Sequence, residues 1–230
     1  FMPHWWDVLR KVCKSGGEML LVADATQDIY ETARAWTDEA MTGAGFRGGW
    51  AELPVSYRMP QLALAKARDF AQRFLPEDLT NLPENKNIEI DLEPSELRWV
   101  QVSPEQAPEV CCNEILRFFQ ESTLRDLAIT DATFLCGQKK FGIEVVSLLG
   151  GKGIRSVHTY HPDEEESRRQ KVGFYMGDAR VKATTLHSFK GWESRILVIY
   201  IGETVSDKDL ALIYTGLTRL KRSPVGSCLT

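Results

Sequence analysis

Four absences narrow this chain of 230 residues before any of its motifs is read. It has no Cys-x-x-Cys pair: of its five Cys, Cys111 and Cys112 are adjacent and Cys13, Cys136 and Cys228 stand apart. A disulfide framework and a structural zinc site are not expected, no metal ligand is assigned, and a reducing cytoplasmic setting fits best. No apolar run approaches the roughly 18 residues of a membrane span, so no membrane partner is expected. Positive charge is not in excess. With 28 Lys and Arg against 32 Asp and Glu the net charge is −4, which argues against a broad basic surface but allows a local basic groove. Last, there is no G-x-x-x-x-G-K-[ST] phosphate loop, and Gly150, Gly151 and Gly153 read as a helix stop. A G-x-S-x-G elbow and a partner set for a Ser or Cys nucleophile are also missing. The opening "FMPHWWDVLRK" has no basic stretch leading into an apolar one, so it does not read as a signal peptide. It does not begin with Met either, as a cut fragment often does not.

What is present is ordinary for a packed domain: 43% hydrophobic and 26% charged residues. Trp5, Val8, Leu9 and Val12 have helical spacing, and "EMLLVAD" reads as a buried strand ending on Asp24. Four Gly in "TGAGFRGGW" mark a loop, and "AELPVSYR" an extended segment. From Pro60, Ala63, Ala67, Phe70 and Phe74 share one helix face. Residues 76–108 are Pro-rich and read as an irregular connection around one strand, Leu97–Val102. Ser103, Pro104 and Gln106 form a helix start for a helix running to about Glu121. Strands and helices then alternate: "ATFLCG", helix "KKFGIEVVSLL", "IRSVHTY", "VKATTL", "ESRILVIYI", helix "DKDLALIYTGLTRLKR" and "VGSCLT". "PDEEESRRQK" reads as a solvated charged loop. The alternation predicts an α/β fold, a mostly parallel sheet with helices on both faces.

In such a sheet, functional groups gather in the loops that follow strands. Four places qualify. In "VADATQDIY", Gln27 can sense a phosphate oxygen or hold a water, although Asp24 closing a turn beside a solvated Gln27 explains that stretch as well. In "SYRMP", Tyr57 offers a ring for stacking and Arg58 a fork for phosphate, or else a half-buried Tyr and a surface ion pair. In "TLHSFKGWE", Thr185, His187, Ser188 and Lys190 cluster at what reads as a strand-to-helix turn that would aim backbone N–H groups at an anion. Gly191 allows a bend there and Glu193 can accept from ribose hydroxyls. In "LIYTGLTRLKR", Arg219 is a surface charge, a partner for the helix dipole, or a cation reaching across a cleft to a transferring phosphate. His158, His161 and Asp163 could ligate a metal but lie beside a charge run, where a solvated loop is the better account.

Taken in order, the four segments resemble the later motifs of superfamily 1 helicases of the UvrD/Rep type. "VADATQDIY" is similar to G-D-x-x-Q-x-I-Y, "SYRMP" to N-Y-R-S, "TLHSFKGWE" to T-x-H-S-x-K-G-L-E and "LIYTGLTRLKR" to L-x-Y-V-A-x-T-R-A. The resemblance implies two RecA-like lobes with ATP and Mg²⁺ between them. Gln27 would meet the γ-phosphate or its attacking water, Tyr57 the adenine, Arg58 the γ-phosphate, Glu193 the ribose, and Arg219 would be the arginine finger. Thr185, His187, Ser188 and Lys190 would meet single-stranded DNA, with RNA left open. The chain departs from the family at Ala23, Ser56, Trp192, Leu210 and Ala211. Residues 158–180 are too few for the accessory domain that UvrD/Rep members insert there.

That family's phosphate loop and D-E-x-Q motif lie upstream of the Gln27 motif. The resemblance therefore implies a C-terminal fragment, with residues 1–52 a remnant of the first lobe and 53–230 the second, and the missing first lobe as its natural partner. No tightly bound cofactor and no activity are expected of the fragment alone. Unpaired backbone near Met19–Ala23 would favour disorder, non-native packing or pairing with a second copy. The alternative is a non-catalytic module that binds nucleic acid or protein on a helicase-like fold.

Overall fold

The computed structural model describes residues 5–18, 20, 59–75, 96–122, 127–203, 206–220 and 227–229. Gln27, Tyr57 and Arg58, together with all but Leu20 of the strand expected near Met19–Ala23, the glycine-rich loop and the segment "AELPVSYR" up to Arg58, lie outside the described residues.

Among the described residues, six strands form one sheet: β1 (Leu97–Trp99), β2 (Ala132–Cys136), β3 (Ser156–His158), β4 (Val181–Thr185), β5 (Ile196–Tyr200) and β6 (Ser227–Leu229). Their order is β1-β6-β5-β2-β4-β3 and every pairing is parallel. The helices are α1 (Trp5–Val12), α2 (Gln61–Phe74), α3 (Ala107–Ser122), α4 (Lys139–Gly151), α5 (Glu164–Gly173) and α6 (Asp207–Leu217). The expected parallel α/β sheet with helices on both faces is present. Its central strands β2 and β4 are buried throughout, and β5 all but its last residue, which is why they read as short apolar runs rather than alternating ones.

Alternation along these strands divides the interior in two. Phe134, Val181, Ala183, Ile196 and Val198 point to the side covered by α3 and α4 through Cys111, Cys112, Ile115, Phe118, Val145 and Leu149. Leu135, Leu197 and Ile199 point to the other side, covered by α2 and α6. Small residues at Ala63, Ala67 and Ala71 let α2 approach α6 closely. Cys111, Cys112 and Cys136 are buried free thiols.

Several boundaries differ from expectation, among them α6, expected over "DKDLALIYTGLTRLKR" but ending at Leu217. α3 begins at Ala107, because the main-chain N–H groups of Gln106 and Ala107 both donate to the Ser103 carbonyl (3.1 Å each) and make a preceding turn. The strand expected at Leu97–Val102 stops at Trp99, and "IRSVHTY" contributes only Ser156–His158. The larger correction is α5, a helix where a charged loop was expected. Asp163 accepts the Glu166 N–H (2.9 Å), Glu164–Glu166 fill the first turn where the helix dipole favours carboxylates, and Arg169 pairs with Glu166 (3.4 Å). Only Ser167 of this helix is buried, so no apolar stripe announces it.

Candidate functional site

The chain between β4 and β5 does not form a helix. Residues 186–191 are a compact turn, followed by extended chain and an isolated bridge at Ser194. The expected strand-to-helix junction at Thr185–Lys190 is therefore corrected, and with it the helix N-terminus that would have offered N–H groups to an anion. Two apolar side chains hold the turn down instead: Leu186 and the fully buried Phe189 enter the core between α2, α6 and the sheet. Nothing in the polar pattern singled out Phe189. Its signal was position, two residues after His187 in a segment otherwise rich in polar groups.

Within the turn, Thr185 is a builder. Its Oγ1 donates to the Ser188 hydroxyl (3.0 Å) and accepts the Ser188 main-chain N–H (3.2 Å), while its carbonyl accepts the Phe189 N–H (3.0 Å). His187 and Ser188 are half-buried, and Lys190 is exposed. Gly191 reverses the chain at φ 94°, in the left-handed region that favours glycine. His187 is held below its ordinary pKa, first by burial and then by Lys208 and Lys171, with Asp209 pulling the other way. Lys171 lies in the last turn of α5 and Lys208 in the first turn of α6, so cations from two separate elements act on His187.

Glu193 and Arg219 belong to the opposite edge. The Ser194 N–H donates to the Arg219 carbonyl (3.1 Å), Ser194 bridges Leu220, and the Ser194 hydroxyl donates to the carbonyls of Asp131 (2.8 Å) and Ile196 (2.7 Å). Asp131 and Ile196 stand at the starts of β2 and β5. The sequence candidates are thus split by the length of β5, five residues at about 3.3 Å each. Arg219 is buried and folded back on its own helix end: Nε donates to the Thr215 carbonyl (3.2 Å) and Nη2 to the Thr218 hydroxyl (3.3 Å). Glu193 is partly exposed.

Gly216 is a site-shaping residue that the motifs did not flag. A Cβ there would come within 2.7 Å of Leu186 Cδ2 and 3.1 Å of Ile199 Cδ1, so its bare backbone lets α6 press on the turn. A lone Gly inside an apolar helix was the available signal. His161 Nδ1 accepts the Asp163 N–H (3.1 Å) and helps open α5. Among the described residues, no three His, Cys, Asp or Glu side chains converge as metal ligands.

No family model matches the chain, and no characterised protein does so by sequence. Among solved structures the chain is similar to the C-terminal domain of a possible DNA helicase from Lactobacillus plantarum WCFS1. The identity is 13% and the TM-score 0.45, over 76% of this chain and 87% of that one. Among the described residues, no helix is long and apolar enough to cross a membrane.

Proposed function

We propose that the chain is the second RecA-like lobe, with part of the first, of an ATP-dependent DNA helicase or translocase of the UvrD/Rep kind. The observation that carries this reading is the single connection from Thr185 to Glu193. It sets His187 and Lys190 at one edge of the sheet and Glu193 at the other, where the main chain of Ser194 meets Arg219. A strand contact and a nucleotide contact joined by one rigid turn are what coupling between ATP and a moving strand requires.

In this reading Glu193 accepts from the ribose hydroxyls and Arg219 donates to the phosphates. His187, Ser188 and Lys190 touch single-stranded DNA, and Thr185 holds the turn that presents them. Tyr57, Arg58 and Gln27 would complete this lobe's share of the nucleotide contacts. ATP supplies the phosphoryl group and Mg²⁺ neutralises its charge in the intact motor. This sequence lacks the phosphate loop, so most of the electrostatic hold on the β- and γ-phosphates is missing. The lobe by itself binds ATP weakly and does not turn it over. Its working partner is the first lobe, in the cytoplasm.

Arg219 supports a second reading, a binding module without catalysis, because its guanidinium is engaged by its own helix end. The two separate in one experiment. The chain is mixed with a first lobe carrying the phosphate loop, and ATPase activity is followed with and without a single strand. Strand-stimulated turnover lost in Arg219→Ala supports the motor. Strand binding without turnover by the pair supports the module, and ATPase activity of this chain alone overturns the half-site account.

A further inference from the structure

The face of the sheet that carries the turn also carries a surface outside all four motifs. α5 ends at Gly173, and Phe174, Tyr175, Met176 and Gly177 follow. Phe174 is buried and Met176 packs against the core that contains Leu186 and Phe189, yet Tyr175 between them is 64% exposed. Its ring is not adrift in solvent. It lies across Gly177, where an added Cβ would stand 2.4–2.7 Å from the ring atoms Cε1, Cζ and Oη. Main chain supports the ring along that side, and most of the side chain remains open to water. An aromatic already seated on a glycine floor loses little freedom when a flat partner stacks on it.

Lys171 precedes this ring by four residues, and the Asp178 main-chain N–H donates to the Tyr175 carbonyl (3.1 Å). Lys171, in the last turn of α5, is exposed, as is Lys208 in the first turn of α6, and the charges of both reach His187. The acidic residue of the same field, Asp209, takes the Ser206 hydroxyl (2.7 Å) and closes the start of α6. We propose that Tyr175 is a base-stacking platform, with Lys171 and Lys208 as phosphate contacts, which extends the single-strand track from His187 and Lys190 to the end of α5. The ligand class is unpaired nucleic acid. It offers open base faces and one phosphate per nucleotide, whereas a duplex keeps its base faces stacked. The proposal rests on reading the turn as a strand contact.

The test uses the full chain and an end-labelled oligodeoxythymidylate, with anisotropy read across a salt series. A second oligomer carries one fluorescent adenine analogue. Tyr175→Ala is expected to weaken binding about 5- to 150-fold and to abolish quenching of the analogue, while Tyr175→Phe keeps both. Lys171→Ala and Lys208→Ala should each flatten the slope of log affinity against log salt by about 0.7. If His187→Ala and Lys190→Ala weaken binding while Tyr175→Ala binds and quenches as the parent does, the platform is overturned and the reading of the turn stands. Weakening by Tyr175→Ala with both turn variants silent overturns the reading of the turn and, with it, the platform as an extension of the turn's track. An oligomer that the parent chain does not bind overturns both.

Discussion

The two ends of the sheet carry charged side chains of the same types and use them in opposite ways. At the amino end one set of charges is taken up by near neighbours. Asp131 pairs with Arg195 (3.4 Å), and Asp178 takes two hydrogen bonds from the Arg180 guanidinium (2.7 and 2.8 Å), which holds its carboxyl down at about 2. Lys182, fully buried, donates to the Thr130 carbonyl and is pushed below its ordinary pKa by burial. At the carboxyl end, Lys171 and Lys208 act on a half-buried His187 and face outward. A net charge of −4 describes neither end. Cations from separate elements that face outward leave a positive field open to solvent, whereas charges that each meet a nearby partner serve as scaffolding.

The comparison can be broken hardest at Tyr160. Its ring is fully buried against Phe134 and Gly142, and its hydroxyl donates to the Thr184 carbonyl, one residue before the turn. Tyr160→Ala should cost about 3–5 kcal/mol in urea unfolding. Tyr160→Phe keeps the packing and should cost about 0.5–1.5 kcal/mol. Equal losses in the two would mean that the hydroxyl, not the packing, sets that end of the sheet.

Gly216→Leu is the next test in size. Filling the space against Leu186 and Ile199 should cost about 1–3 kcal/mol and weaken strand binding, since the displaced turn carries His187. A stability loss with strand affinity intact would show that the turn floats free of α6.

Protonation gives a smaller effect with a definite sign. The pKa of His187 is lowered on folding, so its contribution is complete above about pH 6.5 and is lost as pH falls through the folded value. His158 is lowered as well, again chiefly by burial. Between pH 7.5 and 5 the urea midpoint should fall, and His187→Gln should remove part of that fall while His158 supplies the rest. An unchanged pH profile in His187→Gln would place His187 in water. Smallest of all is Arg180→Ala at the amino end, which breaks an exposed pair and should leave the midpoint within error.

Much of the fold was legible from local pattern. β2, β4 and β5 showed as apolar runs, and α2, α4 and α6 as periodic ones, because burial on two faces or on one stripe leaves its mark on neighbouring residues. α5 escaped for the converse reason: caps and dipole hold it, and it buries one serine. The polar cluster at Thr185–Lys190 was visible, but its density imitated a helix start. What bends it into a turn is long-range, Leu186 and Phe189 sinking beside Gly216 of α6.

By itself the sequence determined the composition of the layers, the parallel character of the sheet and the residue types able to meet nucleotide and strand. These follow from periodicity and side-chain chemistry, which act over a few residues. Only the tertiary structure decided that Glu193 and Arg219 share one edge while His187 takes the other. It also decided that Arg219 is folded onto its own helix, and that Tyr175 lies on Gly177 facing water. The shared edge depends on which surfaces pack together across dozens of residues, and that information is not contained in any one segment; the other two are short-range contacts, of Arg219 with Thr215 and Thr218 and of Tyr175 with Gly177, that no periodicity announces.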